Sequence, residues 1–220
     1  MDVLPILSYG LRIGVLGLLL RKKRSHSTLL YAVVLFSLSS LIADIISHIL
    51  TTQNRNTIFM MSIYTLVELG IVLFVLLKFT FLHQKLRLVM IITSLILATL
   101  LISGMCYYGV NEPFEVIWGL SISFECIFSF LVSILIVLDL KIDTPQIPVE
   151  LWVLVGIFIY TTFSIVPLAS FKLRLYNADS ELGATIYEIF IVTGNVFKDI
   201  CFGIYALLLA RKGPRWTTIQ

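Results

Sequence analysis

The sequence contains seven apolar runs of roughly twenty residues, separated by charged or proline-containing segments. A helix of about 20 residues crosses the hydrocarbon core of a bilayer, which is about 30 Å thick, so each run is long enough to span a membrane. The predicted spans lie near residues 3–20, 27–50, 58–80, 87–108, 114–138, 150–171 and 184–210. We therefore predict an all-α integral membrane protein, with residues 1–220 forming a single seven-helix transmembrane domain.

Composition supports this class, because 59% of the 220 residues are hydrophobic and only 13% are charged, against about 25% charged in soluble domains. The three cysteines and three histidines form no metal-binding motif, and no Ser/His/Asp set or phosphate-binding loop is present. We therefore expect neither an enzyme nor a metal site, and we expect no nucleic-acid partner. The expected partners are the lipid bilayer and a small-molecule or ion ligand.

The basic residues predict the orientation of the spans. Residues 21–24 read RKKR, the turn after the third span contains Lys85 and Arg87, and the C-terminal tail carries three more basic residues, Arg211, Lys212 and Arg215. In a seven-span arrangement all of them lie on one side of the membrane, and short basic loops stay in the cytoplasm. We predict that the N-terminus lies outside the cell and the C-terminus in the cytoplasm. The expected location is the plasma membrane, specifically the inner membrane of a bacterium.

Ionisable and polar side chains recur inside the predicted spans at helical spacing. Ionisable residues within a membrane are costly, and their default interpretation is functional. We expect Glu68, Glu125 and Lys198 to form the floor of an outward-facing pocket, with Asp44 among the residues of its wall. The full set of candidate ligand-binding or ion-path residues is Arg12, Asp44, Tyr64, Glu68, Glu125, Tyr160, Glu188, Asn195 and Lys198.

Charge counting indicates what this pocket would bind. The spans contain five acids, including Asp199, against two permanent cations, Arg12 and Lys198, so three carboxylates have no fixed partner. We expect Lys198 to face Glu68 or Glu125, and Arg12 to face another carboxylate. A buried carboxylate without a partner takes up a proton or a cation rather than remain charged in an apolar medium. The alternative interpretation is that these groups form static pairs between helices.

The segment "KDICFG", residues 198–203, resembles the lysine region of microbial rhodopsins. That resemblance implies a retinal Schiff base on Lys198, with Glu68 as its counterion. However, Asp199 follows the lysine directly, and "GIFIYTTFSIVPLAS" in the sixth span contains no tryptophan. Retinal binding is therefore the lesser alternative.

Two further resemblances concern architecture. Seven spans in 220 residues are similar to the small sugar transporters of the PQ-loop class, although here the Pro145-Gln146 pair falls in a predicted loop. The arrangement also resembles the seven-helix input modules of some bacterial sensor kinases, and no kinase domain is predicted within these residues. We therefore expect a receptor or sensor that binds a small cation or senses protons and signals to a separate cytoplasmic protein. The alternative is a small proton- or cation-coupled transporter or ion channel, and a homo-oligomer remains open.

Overall fold

The computed structural model describes residues 3–21, 28–53, 57–80, 83–108, 115–139, 149–172 and 180–211. Within these segments, side chains are not described for residues 3–8, 58, 108, 115–116, 139, 166–172, 180–188 and 210–211. The predicted pocket residue Glu188 belongs to this last group, so its side chain lies outside the described residues.

The described segments contain seven α-helices, which are numbered here in chain order. Their bounds are α1 Val3–Arg21, α2 Thr28–Thr52, α3 Ile58–Phe79, α4 Gln84–Tyr108, α5 Glu115–Asp139, α6 Leu151–Lys172 and α7 Ser180–Arg211. Each helix coincides with one predicted apolar run, and the largest difference at a boundary is four residues, at the start of α7. The prediction of an all-helical fold with seven helices is therefore confirmed.

Five of these helices are long and apolar enough to cross a membrane. The qualifying stretches are Thr28–Thr52, Phe59–Phe79, Gln84–Tyr107, Ile117–Leu138 and Ile189–Leu209. Helix α6 contributes a shorter described apolar stretch, Leu151–Ile165. Several long apolar helices in one chain are characteristic of an integral membrane protein.

The helices pack as a bundle in which the contacts follow a closed ring of six helices, in the order α1, α2, α3, α5, α6 and α7. Helix α3 contacts α2, α4 and α5, whereas α7 contacts α1 and α6, and α6 also packs against α5. The apolar core includes Val72 and Leu76 from α3 and Phe202 and Tyr205 from α7, all of which are almost completely buried. This arrangement brings faces of α1, α2, α3, α5, α6 and α7 toward the interior, and α4 packs at the edge against α3 and α5.

Helix α4 lies at the edge of the bundle, and 28% of the 18-residue window in its apolar stretch is buried. The value for α5 is also 28%. Helix α5 exposes large apolar side chains such as Ile127 and Phe130 on the face opposite Glu125. The two helices are therefore equally exposed.

Helices α6 and α7 approach each other closely at two glycines. A Cβ atom added to Gly194 would lie 2.8 Å from Cβ of Phe163 and 3.4 Å from the carbonyl oxygen of Tyr160. A Cβ atom added to Gly156 would lie 3.0 Å from Cβ of Cys201. Small residues allow helix backbones to approach in this way, and here they bring Tyr160 directly against the polar segment of α7.

Candidate functional site

The first part of the buried polar region is an ion-pair triad that joins α1, α2 and α7. Arg12 is fully buried, and its Nε donates a hydrogen bond to Oδ2 of Asp199 at 3.1 Å. Its Nη1 also contacts Oδ2 of Asp44 directly. The prediction that Arg12 faces a carboxylate is thus confirmed, and one of its two partners is Asp199, which we did not place among the site residues.

The triad carries more negative than positive charge. The side chain of Asp199 is fully buried, whereas that of Asp44 is 37% exposed. Two carboxylates face one guanidinium, so with both acids ionised the triad has a net charge of −1. Oδ1 of Asp199 and Nη2 of Arg12 have no hydrogen-bond partner among the described residues. Among the described residues, Arg12 therefore forms its ion pairs with these two aspartates and none with the glutamates.

The second part of the region is a polar and aromatic cage around Lys198. Its ammonium donates hydrogen bonds to Oδ1 of Asn195 at 2.8 Å and to Oγ of Ser40 at 3.3 Å. Nζ also lies 4.3 Å from the ring centroid of Tyr160 and 4.8 Å from that of Phe36. Aromatic faces attract cations, so these contacts partly replace the water that the fully buried ammonium has lost.

We predicted that Lys198 faces Glu68 or Glu125, and it lies within electrostatic range of both glutamates without a direct ion pair to either. Lys198 forms no ion pair within 4.0 Å with a carboxylate of the described residues, including Glu68 and Glu125. Successive helical residues point about 100° apart, so Lys198 faces α2 and α6 while Asp199 faces α1. The direct Lys198–Glu68 contact that a retinal counterion would make is likewise not formed.

The third part of the region contains two glutamates on neighbouring helices, and we call Glu68 on α3 and Glu125 on α5 the glutamate pair. Glu68 is 3% exposed and accepts a hydrogen bond from the hydroxyl of Tyr64, one turn earlier, at 3.1 Å. Tyr160 of α6 also lies near Glu68. The charge of Glu68 is within electrostatic range of both Lys198 and Glu125.

Glu125 has the least polar environment of these groups. Its side chain is 1% exposed, and neither carboxylate oxygen has a hydrogen-bond partner among the described residues. Ser121 and Ser129 lie one turn away on either side, but their hydroxyls donate to the carbonyl oxygens of their own helix at 3.0 and 3.1 Å. A carboxyl group with no donor and no contacting cation is costly to keep charged, so it must carry a proton or attract a cation.

Most of the residues predicted from the sequence therefore meet in three connected groups. Arg12 and Asp44 meet in the triad, Tyr160 and Asn195 meet at Lys198, and Tyr64, Glu68 and Glu125 form the third group. The candidate set from the sequence did not include Phe36, Ser40 or Asp199, which the structure places in these groups. Phe36 lies one helical turn before Ser40, so helical spacing places it on the polar face of α2. Because phenylalanine is apolar, nothing in the sequence indicated that it contacts a cation.

A cavity of about 130 Å³ lies elsewhere, between α1 and α2. Its lining is apolar, consists of Leu19, Leu20, Leu30, Tyr31 and Val34, and includes none of the ionisable residues of the three groups. Within the described part of the chain there is no cluster of three or more His, Cys, Asp or Glu side chains able to hold a metal ion.

The chain matches no protein-family model, no curated protein and no solved structure. The fold and the site place it in the class of all-helical membrane proteins with buried ionisable groups inside the helix bundle.

Proposed function

We propose that the protein is a seven-span receptor or sensor of the plasma membrane, taken as the bacterial inner membrane, whose buried site responds to a proton or a small cation. Its N-terminus would lie outside, and its signal would pass to a separate cytoplasmic protein through the basic loops.

The lengths of α1 and α6 support seven spans. Their 19 and 22 residues correspond to about 28 and 33 Å at 1.5 Å per residue, close to the thickness of the hydrocarbon core. Both helices also pack within the bundle, α1 against α2 and α7, and α6 against α5 and α7. Basic residues end α1 at Arg21 and α3 at Lys78, and they begin α4 at Lys85, which supports a cytoplasmic side common to these three ends.

The observation that carries the proposal is the unpaired glutamate pair. Among the described groups of the site, three buried acids and the partly exposed Asp44 face two buried cations, and Arg12 pairs with Asp44 and Asp199. Glu68 and Glu125 then share the field of a single cation, Lys198, which contacts neither of them. With both glutamates ionised, Glu68, Glu125 and Lys198 together carry one excess negative charge. A buried group of this kind has its lowest energy when it holds a proton or a cation.

The distribution of charge along the helices supports a receptor rather than a transporter. Toward the proposed cytoplasmic side, no charged residue follows Arg12 before Arg21, Glu68 before Lys78, or Asp199 before Arg211. A transport path needs polar access from both membrane faces, whereas these segments are apolar. The buried site would therefore transmit a change in helix packing instead of passing its ligand onward.

The test is binding to the purified protein in lipid nanodiscs, followed by intrinsic tryptophan fluorescence. Trp118 lies two turns before Glu125 on the same face of α5 and is buried, so it reports on changes beside the site. The probes are a step from neutral to mildly acidic pH, NaCl, and choline chloride as an organic cation. We expect at least one probe to change the fluorescence of the wild type, and we expect Glu68→Gln and Lys198→Met to abolish that change.

Matched controls are Glu150→Gln, outside the helices, and Lys78→Met, an exposed lysine at the end of α3. Both should retain the wild-type response. A wild type that is insensitive to all three probes, or site variants that respond fully, would overturn the proposal. A further test is transport in proteoliposomes. If the wild type carries protons or sodium ions across the membrane and Glu68→Gln abolishes this flux, the protein is a transporter or channel and the receptor proposal is wrong.

A further inference from the structure

We infer that Glu125 is the proton-binding group of the site, being neutral at rest while Glu68 is ionised opposite Lys198. This inference rests on the proposed function and names its ligand as the proton itself.

The two glutamates differ in what surrounds them. Glu68 accepts a hydrogen bond from Tyr64 and lies in the field of Lys198, and both features stabilise a carboxylate. Glu125 has neither a donor nor a contacting cation among the described residues, and its nearest negative charge is Glu68. Lys198 is one cation facing two acids, so it balances only one ionised carboxylate. Glu68 is the acid better able to carry that negative charge.

The ionisable groups that face Glu125 can be named for each neighbouring helix. Helix α3 contributes Glu68 and Tyr64, α6 contributes Tyr160, and α7 contributes Lys198 through space. On α4, the described ionisable residues lie at the helix ends and not beside the middle of α5; they are Lys85, Arg87, Cys106 and Tyr107. Lys198 is thus the only cation among these facing groups that is close enough to respond when Glu125 gains a charge.

The space around Glu125 favours a proton over larger cations. An organic amine needs a cavity of its own size, but the Glu125 side chain is 1% exposed and sits within the packed bundle. A metal ion needs several oxygen ligands, and the described side chains include no acidic or histidine cluster of three. A proton requires no volume and only one carboxylate oxygen.

Loss of this proton would create a second buried negative charge beside Glu68. Among the described residues, Lys198 is the cation whose field reaches both glutamates, and its hydrogen bonds to Asn195 and Ser40 are made with neutral groups. Its displacement toward the two carboxylates would break those two bonds and change the contact between α7 and α2. The proton on Glu125 would thereby control the position of α7, the helix that leads to the C-terminal tail.

The experiment is infrared spectroscopy of the purified full-length protein in nanodiscs, measuring the carbonyl stretch of protonated carboxylic acids at neutral pH. We expect a band in the wild type that shifts when the glutamates are labelled with ¹³C, which separates glutamic from aspartic acids. Glu125→Gln should remove this band. Lys198→Met should enlarge it to roughly twice its area, because without the cation neither glutamate has a counter-charge. Glu150→Gln is the matched control and should leave the band unchanged.

A ¹³C-sensitive band that survives in Glu125→Gln, or a wild type without one, would overturn the inference. Helical circular dichroism of each variant shows whether it is folded, and the isotope shift of the wild type tests the glutamic-acid assignment without any substitution. If the band behaves as expected but pH leaves the tryptophan fluorescence unchanged, the proton assignment holds and the receptor proposal fails. If the fluorescence responds to acid and no glutamic-acid band exists, the receptor proposal holds and this assignment fails.

Discussion

Replacing Arg12 by leucine should destabilise the protein strongly, because Arg12 is the cation of the ion-pair triad. The substitution leaves the fully buried carboxylate of Asp199 without its one hydrogen-bond donor, since its other oxygen has none among the described residues. Removing one partner of a buried ion pair costs about 3–5 kcal/mol. Asp44 is the less buried partner, with 37% of its side chain exposed, and should add no more than about 1 kcal/mol.

The assay is a titration of the protein in mild detergent with sodium dodecyl sulfate, in which loss of helical circular dichroism gives the free energy of unfolding. Arg12→Leu should lower it by about 3–5 kcal/mol. The double variant Arg12→Leu/Asp199→Asn should be more stable than the single one by about 1–3 kcal/mol, because an unpaired amide is less costly than an unpaired buried charge. Arg21→Leu, an exposed arginine at the end of the same helix, is the matched control and should change stability by less than about 0.5 kcal/mol.

Two results would refute this reasoning. The first is an Arg12→Leu variant that unfolds like the wild type, which would mean that the triad contributes no more than the weak polar contacts common between membrane helices. The second is a double variant as unstable as Arg12→Leu, which would show that the loss comes from side-chain packing and not from the uncompensated charge on Asp199.

Two more predictions concern packing and orientation. Gly194→Ala should lower the free energy of unfolding by about 1–3 kcal/mol, because the added Cβ would lie 2.8 Å from Cβ of Phe163. Gly119→Ala is the control and should leave the free energy of unfolding unchanged, because nothing lies within 4 Å of its added Cβ. Equal free energies of unfolding for the two variants would contradict the close approach of α6 and α7. In intact cells, a membrane-impermeant maleimide should label the exposed Cys106 at the proposed outer end of α4 and should not label the buried Cys201. Labelling of Cys106 only after permeabilisation would invert the proposed orientation.

The number and positions of the helices could be read from the sequence because they depend on local properties. A span must be apolar over roughly twenty residues, and polar residues end it, so the pattern around segments such as 58–80 carries the information directly. The same locality explains why Arg12, Glu68, Glu125 and Lys198 could be recognised as buried ionisable residues: each lies within an apolar run, and only Lys198 has another charged residue, Asp199, beside it. Tyr64 and Glu68 are four residues apart, so helical spacing alone places them on one face of α3, where they form a hydrogen bond.

The partners of these groups on other helices were decided by the tertiary structure. Sequence spacing indicates which residues share a face of a helix, but it does not indicate which other helix that face meets. The direct contacts of Lys198 are with Asn195, Ser40 and two aromatic rings, and the two glutamates act on it only through space. Its neighbour Asp199 reaches Arg12. The sequence by itself therefore determined seven helices and an excess of buried acid, and the packing of α7 between α1 and α6 determined which acids are neutralised. The physical reason is that a rotation of about 100° between adjacent residues sends neighbouring charges to different helices.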